Sequence, residues 1–170
     1  MAKRMLLAAS VTAGLLLTGC GSKDEHSFKT DEGGEVKVAT DGDGEAAVIT
    51  TTAPDGSQSR IETGGSWPTA LAAIAPAYPG AKLSTTMSGN RDGSDGAMAA
   101  FDTSDPPAKV IDFYKARSAA AGLTGTMNME SGETRMFTAA DDKTGRTLSV
   151  QTSFQDGKTS AIVTGSTKKP

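Results

Sequence analysis

Asp105-Pro106-Pro107-Ala108-Lys109-Val110-Ile111-Asp112-Phe113-Tyr114-Lys115-Ala116-Arg117, closed by Ala121-Gly122, is the stretch on which the fold reading turns. Asp105 is a favourable N-cap residue, and two prolines suit a first turn whose N–H groups have no intrahelical acceptor. Val110, Phe113, Tyr114, Arg117 and Ala121 recur at helical spacing and define one stripe, with Lys109, Asp112, Lys115 and Ala119 facing away. Gly122 supplies a left-handed stop. The stripe reads as core packing rather than as an aromatic platform for a ligand.

Strand patterns flank this helix. Upstream, Trp67-Pro68 marks a boundary, residues 68–75 suit a short helix with Leu71, Ile74 and Ala75 on one face, and Pro79-Gly80 signals a turn. Strands are expected over 82–87 and 97–103, with the Gly- and Asp-rich stretch 88–96 as an exposed loop. Downstream, strands are expected over 123–129, 133–140, 147–154 and 159–165, with Leu148, Val150 and Phe154 facing inward. The turns at 141–145 and 155–158 make them antiparallel neighbours, and Asp156-Gly157 carries a tight-hairpin signature. The order β-β-α-β-β-β-β predicts an α+β domain over 67–170, an antiparallel sheet with one main helix packed on a face.

The preceding segments are polar. Residues 35–66 alternate Val36 and Val38 with charged residues, centre a β-branched run on Val48 and Ile49, and carry turn signals at Asp41-Gly42-Asp43-Gly44 and Asp55-Gly56. They predict a weak three-stranded meander that packs on the following domain or is only partly ordered. Residues 20–34 hold a single large apolar residue, Phe28, and read as a flexible tether.

Residues 1–19 read as a signal peptide. Lys3 and Arg4 precede an apolar run over 5–17, which as a helix spans about 20 Å, short of the roughly 30 Å hydrocarbon core. The run ends in Leu17-Thr18-Gly19-Cys20, which resembles the bacterial lipobox. That resemblance implies cleavage before Cys20, lipidation of its thiol and anchoring in a membrane. Gly21 in place of Asp favours the outer membrane, with the protein facing the periplasm. Two or more acyl chains hold stably without a basic patch.

Downstream, Tyr78-Pro79-Gly80-Ala81, the strand end from Phe101 to Asp105, Val110-Ile111-Asp112-Phe113-Tyr114 and Gly122-Leu123 together resemble a class of small bacterial envelope lipoprotein domains over 76–165. The resemblance implies fold and location, with no assigned activity.

Only 36% of the chain is hydrophobic, so the core must come mostly from 67–170. The net charge is −3, and losing Lys3 and Arg4 with the leader makes it two units more negative, which argues against a nucleic-acid partner. Cys20 is the single cysteine and His26, in the tether, the single histidine, so Ser–His–acid and Cys–His arrangements are excluded. Asp41-x-Asp43-x-Glu45 resembles the start of a calcium loop, but Ala46 and Thr52 stand where Gly and Glu are required. Asp141-Asp142 is an adjacent carboxylate pair in a turn, where Asp is ordinary turn chemistry. Trp67, Tyr78 and Tyr114 are too scattered in sequence to suggest a sugar platform. No cofactor motif is found.

These features predict a non-enzymatic, lipid-anchored envelope module with an envelope protein partner. A small-ligand or cell-wall-binding domain on the open sheet face is the alternative, and a carboxylate hydrolase a weaker one. If Cys20 carries the anchor, Cys20→Ala moves the protein out of the membrane fraction and abolishes labelling by a palmitate analogue. Retained label would refute the lipobox reading.

Overall fold

The computed structural model describes residues 24–40, 46–91 and 93–168. The signal peptide, Cys20 and the turn at 41–44 lie outside the described residues. Ten strands form one antiparallel sheet: β1 (Asp24–Lys29), β2 (Glu35–Thr40), β3 (Ala47–Thr52), β4 (Gln58–Thr63), β5 (Lys82–Arg91), β6 (Ser94–Thr103), β7 (Thr124–Ser131), β8 (Thr134–Asp141), β9 (Arg146–Gln155) and β10 (Lys158–Lys168). Their spatial order is β1-β2-β3-β4-β5-β6-β10-β9-β8-β7. Two helices, α1 (Thr69–Ala72) and α2 (Pro107–Ala120), pack on one side, α1 over β6 and β10 and α2 over β7, β8 and β9.

The expected fold class is corrected. In place of a balanced α+β domain with one main helix, the described chain is 58% strand and 13% helix, a ten-stranded antiparallel sheet carrying two small helices. The added strands are the reason. The three strands expected before residue 64 are present as the antiparallel run β2-β3-β4, and β4 pairs with β5 from Gln58↔Asn90 to Thr63↔Thr85, so this run extends the main sheet. Backbone ladders need no apolar core of their own, so polar strands can add to an existing edge. Within the expected tether, Asp24–Lys29 forms the outermost strand of this extension.

The loop expected over 88–96 is also corrected. β5 and β6 run on as a hairpin through Gly89↔Gly96, Asn90↔Asp95 and Arg91↔Ser94. Gly93, at φ 73°, takes the left-handed conformation that glycine adopts freely. The expected hairpin at Asp156-Gly157 is present, with φ of 52° and 74° at its two central residues.

The core lies between the helices and the β6–β10–β9–β8 part of the sheet, where Phe101, Val110, Tyr114, Leu148, Val150 and Val163 are all essentially buried. The α2 stripe is rotated from its expected setting. Val110, Ile111, Tyr114 and Ser118 are buried, whereas Arg117 is exposed and lies over the Phe113 ring. Asp105 does not cap α2 with its side chain; Pro106 holds that position. At the other end, Gly122 (φ 81°) follows the C-cap and donates its N–H to the Ala119 carbonyl.

Gly165 of β10 sets how closely α1 approaches. A Cβ there would stand 2.7 Å from Leu71 Cδ2 and 2.8 Å from Ile74 Cδ1, and both side chains are buried. Overpacking of this kind costs about 1–3 kcal/mol. Gly165→Val is therefore expected to lower the urea-unfolding free energy by at least that amount. An unchanged midpoint would show that α1 does not pack as described.

Candidate functional site on the helix-free face

Side chains of directly opposed residues lie on the same side of a sheet, so the pairing register shows which residues share a face. Gly165 meets α1, which puts Thr164 and its row on the helix-free side. That row reads His26↔Val38↔Ile49↔Ile61↔Met87↔Met98↔Thr164↔Ser149↔Thr138↔Met127 across all ten strands. Neighbouring rows add Phe28↔Val36 on one side and Ile162, Met136 and Met129 on the other. Phe28 is 59% exposed, and Ile49, Met87, Met127, Met129 and Ile162 are each at least 36% exposed.

The sheet changes character along its width. In β6, β8, β9 and β10 the apolar residues concentrate on the helix side. In β2 and β4 the pattern inverts: Glu35, Lys37, Arg60 and Glu62 take the helix side, while Val36, Val38 and Ile61 take the open side; β3 between them divides its apolar pair, Val48 to the helix side and Ile49 to the open side. Apolar residues that would be the buried half of an ordinary amphipathic strand therefore join Met87 and Met98 on a surface no helix covers.

That surface holds a concavity of about 570 Å³ over β4, β5, β6 and β10. Its floor is formed where Gly89 and Gly96 oppose each other, leaving bare backbone between flanking side chains. Gly89 is required by close packing, since a Cβ there would lie 2.9 Å from the Gln58 carbonyl oxygen. Met87 and Met98 form the apolar wall, Thr51, Ser59, Thr164 and Ser166 supply hydroxyls, and Arg91 lies at one end. Near that end, the Ser57 hydroxyl and N–H both donate to Asp55 and hold its carboxyl below its ordinary range, with the Arg91 charge adding to the effect.

The motif residues over 78–114 meet elsewhere, inside the core. Tyr78 stacks on Phe101 at 5.7 Å between ring centroids and meets Phe113 edge-on at 5.1 Å. Its hydroxyl donates to Asp105 Oδ2 at 2.6 Å. Burial, reinforced by that bond, pushes the Tyr78 phenol up. Asp105 also accepts from Lys109 Nζ at 2.9 Å, and its carboxyl is held low by Tyr78 first and Lys109 second. The Asp105 carbonyl accepts from the Thr159 hydroxyl at 2.6 Å. Trp67 reaches the same cluster, 6.2 Å from Phe101, with its indole N–H on the Ala75 carbonyl. These rings, far apart in sequence, are packed core and not a sugar platform. The Tyr114 hydroxyl is buried there without a hydrogen-bond partner, and burial pushes its phenol up.

Other candidates do not converge. His26 lies on β1. Among the described residues no group of three or more His, Cys, Asp or Glu is placed to hold a metal ion, and no helix is long and apolar enough to cross a membrane. Cys20 and the Asp41-x-Asp43-x-Glu45 run lie outside the described residues. Asp141 closes a hairpin: it accepts from the Thr144 hydroxyl and from Arg146 Nη2 at 3.0 Å, and the same nitrogen donates to the Ala121 carbonyl at the end of α2.

A family model described as START domain-like matches residues 83–161, under half of the chain. The match supports a small domain of unassigned activity. No curated protein and no solved structure shows significant similarity to the chain.

The Thr144 hydroxyl bond, then Arg146, lower the Asp141 pKa from 3.8 to about 2. A carboxylate depressed on folding contributes stability that is full above its unfolded pKa and is lost as pH falls through its folded one. Asp141→Asn is thus expected to flatten the stability loss between pH 4 and 2, read from urea midpoints. A wild-type slope in the variant would contradict the assigned bonds.

Proposed function

We propose that the protein is a non-enzymatic, lipid-anchored envelope module that binds a small apolar ligand in the concavity of its helix-free sheet face. The observation that carries this reading is the concavity itself. Its volume falls within the range of about 300–1,000 Å³ that suits small molecules, and an apolar wall ringed by a few hydroxyls is the usual composition of such sites. The START-like match over 83–161, which includes Met87, Gly89 and Met98 of the concavity, supports a small-ligand-binding module. Thioether, methyl and hydroxyl groups at the wall bind and orient; none is a paired acid and base.

Anchoring comes from the lipobox-like Leu17-Thr18-Gly19-Cys20, with the outer membrane facing the periplasm favoured by Gly21. An anchored binder of this kind holds its ligand at the envelope without a soluble intermediate.

Met87→Asp or Met98→Asp places a charge against the apolar wall. Each is expected to weaken binding of an apolar fluorophore such as anilinonaphthalene sulfonate by tenfold or more, equivalent to about 1.4 kcal/mol. Met129→Asp, on the edge strand β7, leaves it unchanged. Equal loss in all three variants, or none in the first two, would refute the site.

A further inference from the structure

The apolar row does not stop at the concavity. It continues through Ile61, Ile49 and Val38 to the Phe28–Val36 pair on β1 and β2; in the other direction Thr164, Ser149 and Thr138 interrupt it, and Ile162, Met136, Met129 and Met127 form a separate apolar group toward β7. From β1 to β6, five inter-strand steps of about 4.8 Å make this a band roughly 24 Å wide. A contiguous apolar surface on that scale marks a protein or membrane interaction site. The opposite side carries the charges of the polar extension, Glu35, Lys37, Arg60 and Glu62.

The position of β1 identifies the occupant. Only residues 21–23 separate Cys20 from Asp24, the first residue of β1. Four Cα steps span at most about 14 Å. An acylated Cys20 therefore holds the β1 edge at the headgroup region, with no length of chain to lift the sheet clear. In β1 to β4, the strands nearest the anchor, the helix-free side presents Phe28, Val36, Val38, Ile49 and Ile61 where the other side carries Glu35, Lys37, Arg60 and Glu62. We infer that the helix-free face docks flat on the lipid surface in which Cys20 is anchored. Docking rests on the anchor part of the function proposed above and is independent of the ligand. It brings the mouth of the concavity against the bilayer, which makes the membrane the source of an apolar ligand. Because the face has no Lys/Arg cluster, attachment is driven by burial of apolar surface and does not need anionic lipid.

The test uses the full-length lipidated protein in vesicles of phosphatidylethanolamine and phosphatidylglycerol. With Cys20 acylated, an introduced cysteine is the one free thiol. Ile49→Cys and Ile162→Cys report the helix-free face, and Lys37→Cys and Lys109→Cys the helix side, each carrying a nitrobenzoxadiazole label. Nitroxide-labelled lipid is expected to quench the first pair several-fold more than the second, unchanged between low and high salt. Equal quenching on the two sides in acylated protein would overturn docking and leave the anchor standing. Mass spectrometry showing unmodified Cys20 would overturn anchor and docking together. Labels at 49 and 162 shielded from aqueous iodide but not quenched by lipid, with energy transfer between molecules, would assign the face to a second copy and overturn docking on lipid. Loss of fluorophore binding in Met87→Asp has no bearing on these readouts, so failure of the ligand reading is separable.

Discussion

Coverage is the constraint from which the rest follows. A ten-stranded sheet presents two faces roughly 43 Å across, and the described chain has two helices, of four and fourteen residues, to place on them. The longer is about 21 Å long. Together they cover one side of the β6-to-β7 half and nothing else. A sheet in that position must either make its remaining surface polar or leave it for another component. The chain does the first on the helix side of β2 and β4 and with Thr164, Ser149 and Thr138 on the open side of β10, β9 and β8, and the second on the open side from β1 to β6, where aliphatic and methionine side chains line up.

The covered half is fastened at one place. Tyr78 leaves the Pro79-Gly80 turn, stacks on Phe101 of β6, meets Phe113 of α2 and donates to Asp105 at the start of that helix. Asp105 in turn accepts from Thr159 of β10 through its carbonyl. A turn, two neighbouring strands and the helix are thereby locked by one ring and one residue's two acceptors. The sequence motifs that resemble small envelope domains are the parts of this lock, and their role is structural. Function has to be sought on the other side of the sheet, where side chains are not already used for packing.

Much of the covered half was legible from residue patterns. Helix α2, the inward alternation of Leu148 and Val150, the Asp156-Gly157 hairpin and the glycine stop at residue 122 all follow from local rules, because each depends on neighbours in sequence. The misreadings share a different origin. Asp24–Lys29 has no apolar periodicity and becomes a strand only because β2 offers it an edge. Gly89 and Gly96 look like loop residues until the pairing shows that they oppose each other across a hairpin. Ile111 and Ser118 enter the core because the setting of α2 is fixed by its packing on β7, β8 and β9, which no helical wheel contains. The open-face row combines residues from strands far apart in sequence, from His26 on β1 to Thr164 on β10. Alternation within each short strand gave one apolar side, but only the register shows that the sides align and that the polar extension turns its apolar side away from the helices.

Methionine provides a direct probe of that alignment. All five methionines beyond the leader, Met87, Met98, Met127, Met129 and Met136, fall on the helix-free face by register. The decisive measurement is a ¹³C-methyl-methionine NMR spectrum recorded with a soluble gadolinium chelate and then with an apolar ligand. The account predicts that the chelate broadens all five methyl signals and that the ligand shifts those of Met87 and Met98 while leaving Met127 and Met129 in place. Protection of Met87 and Met98 from the chelate in the ligand-free monomer, or ligand shifts confined to the other three, would contradict it.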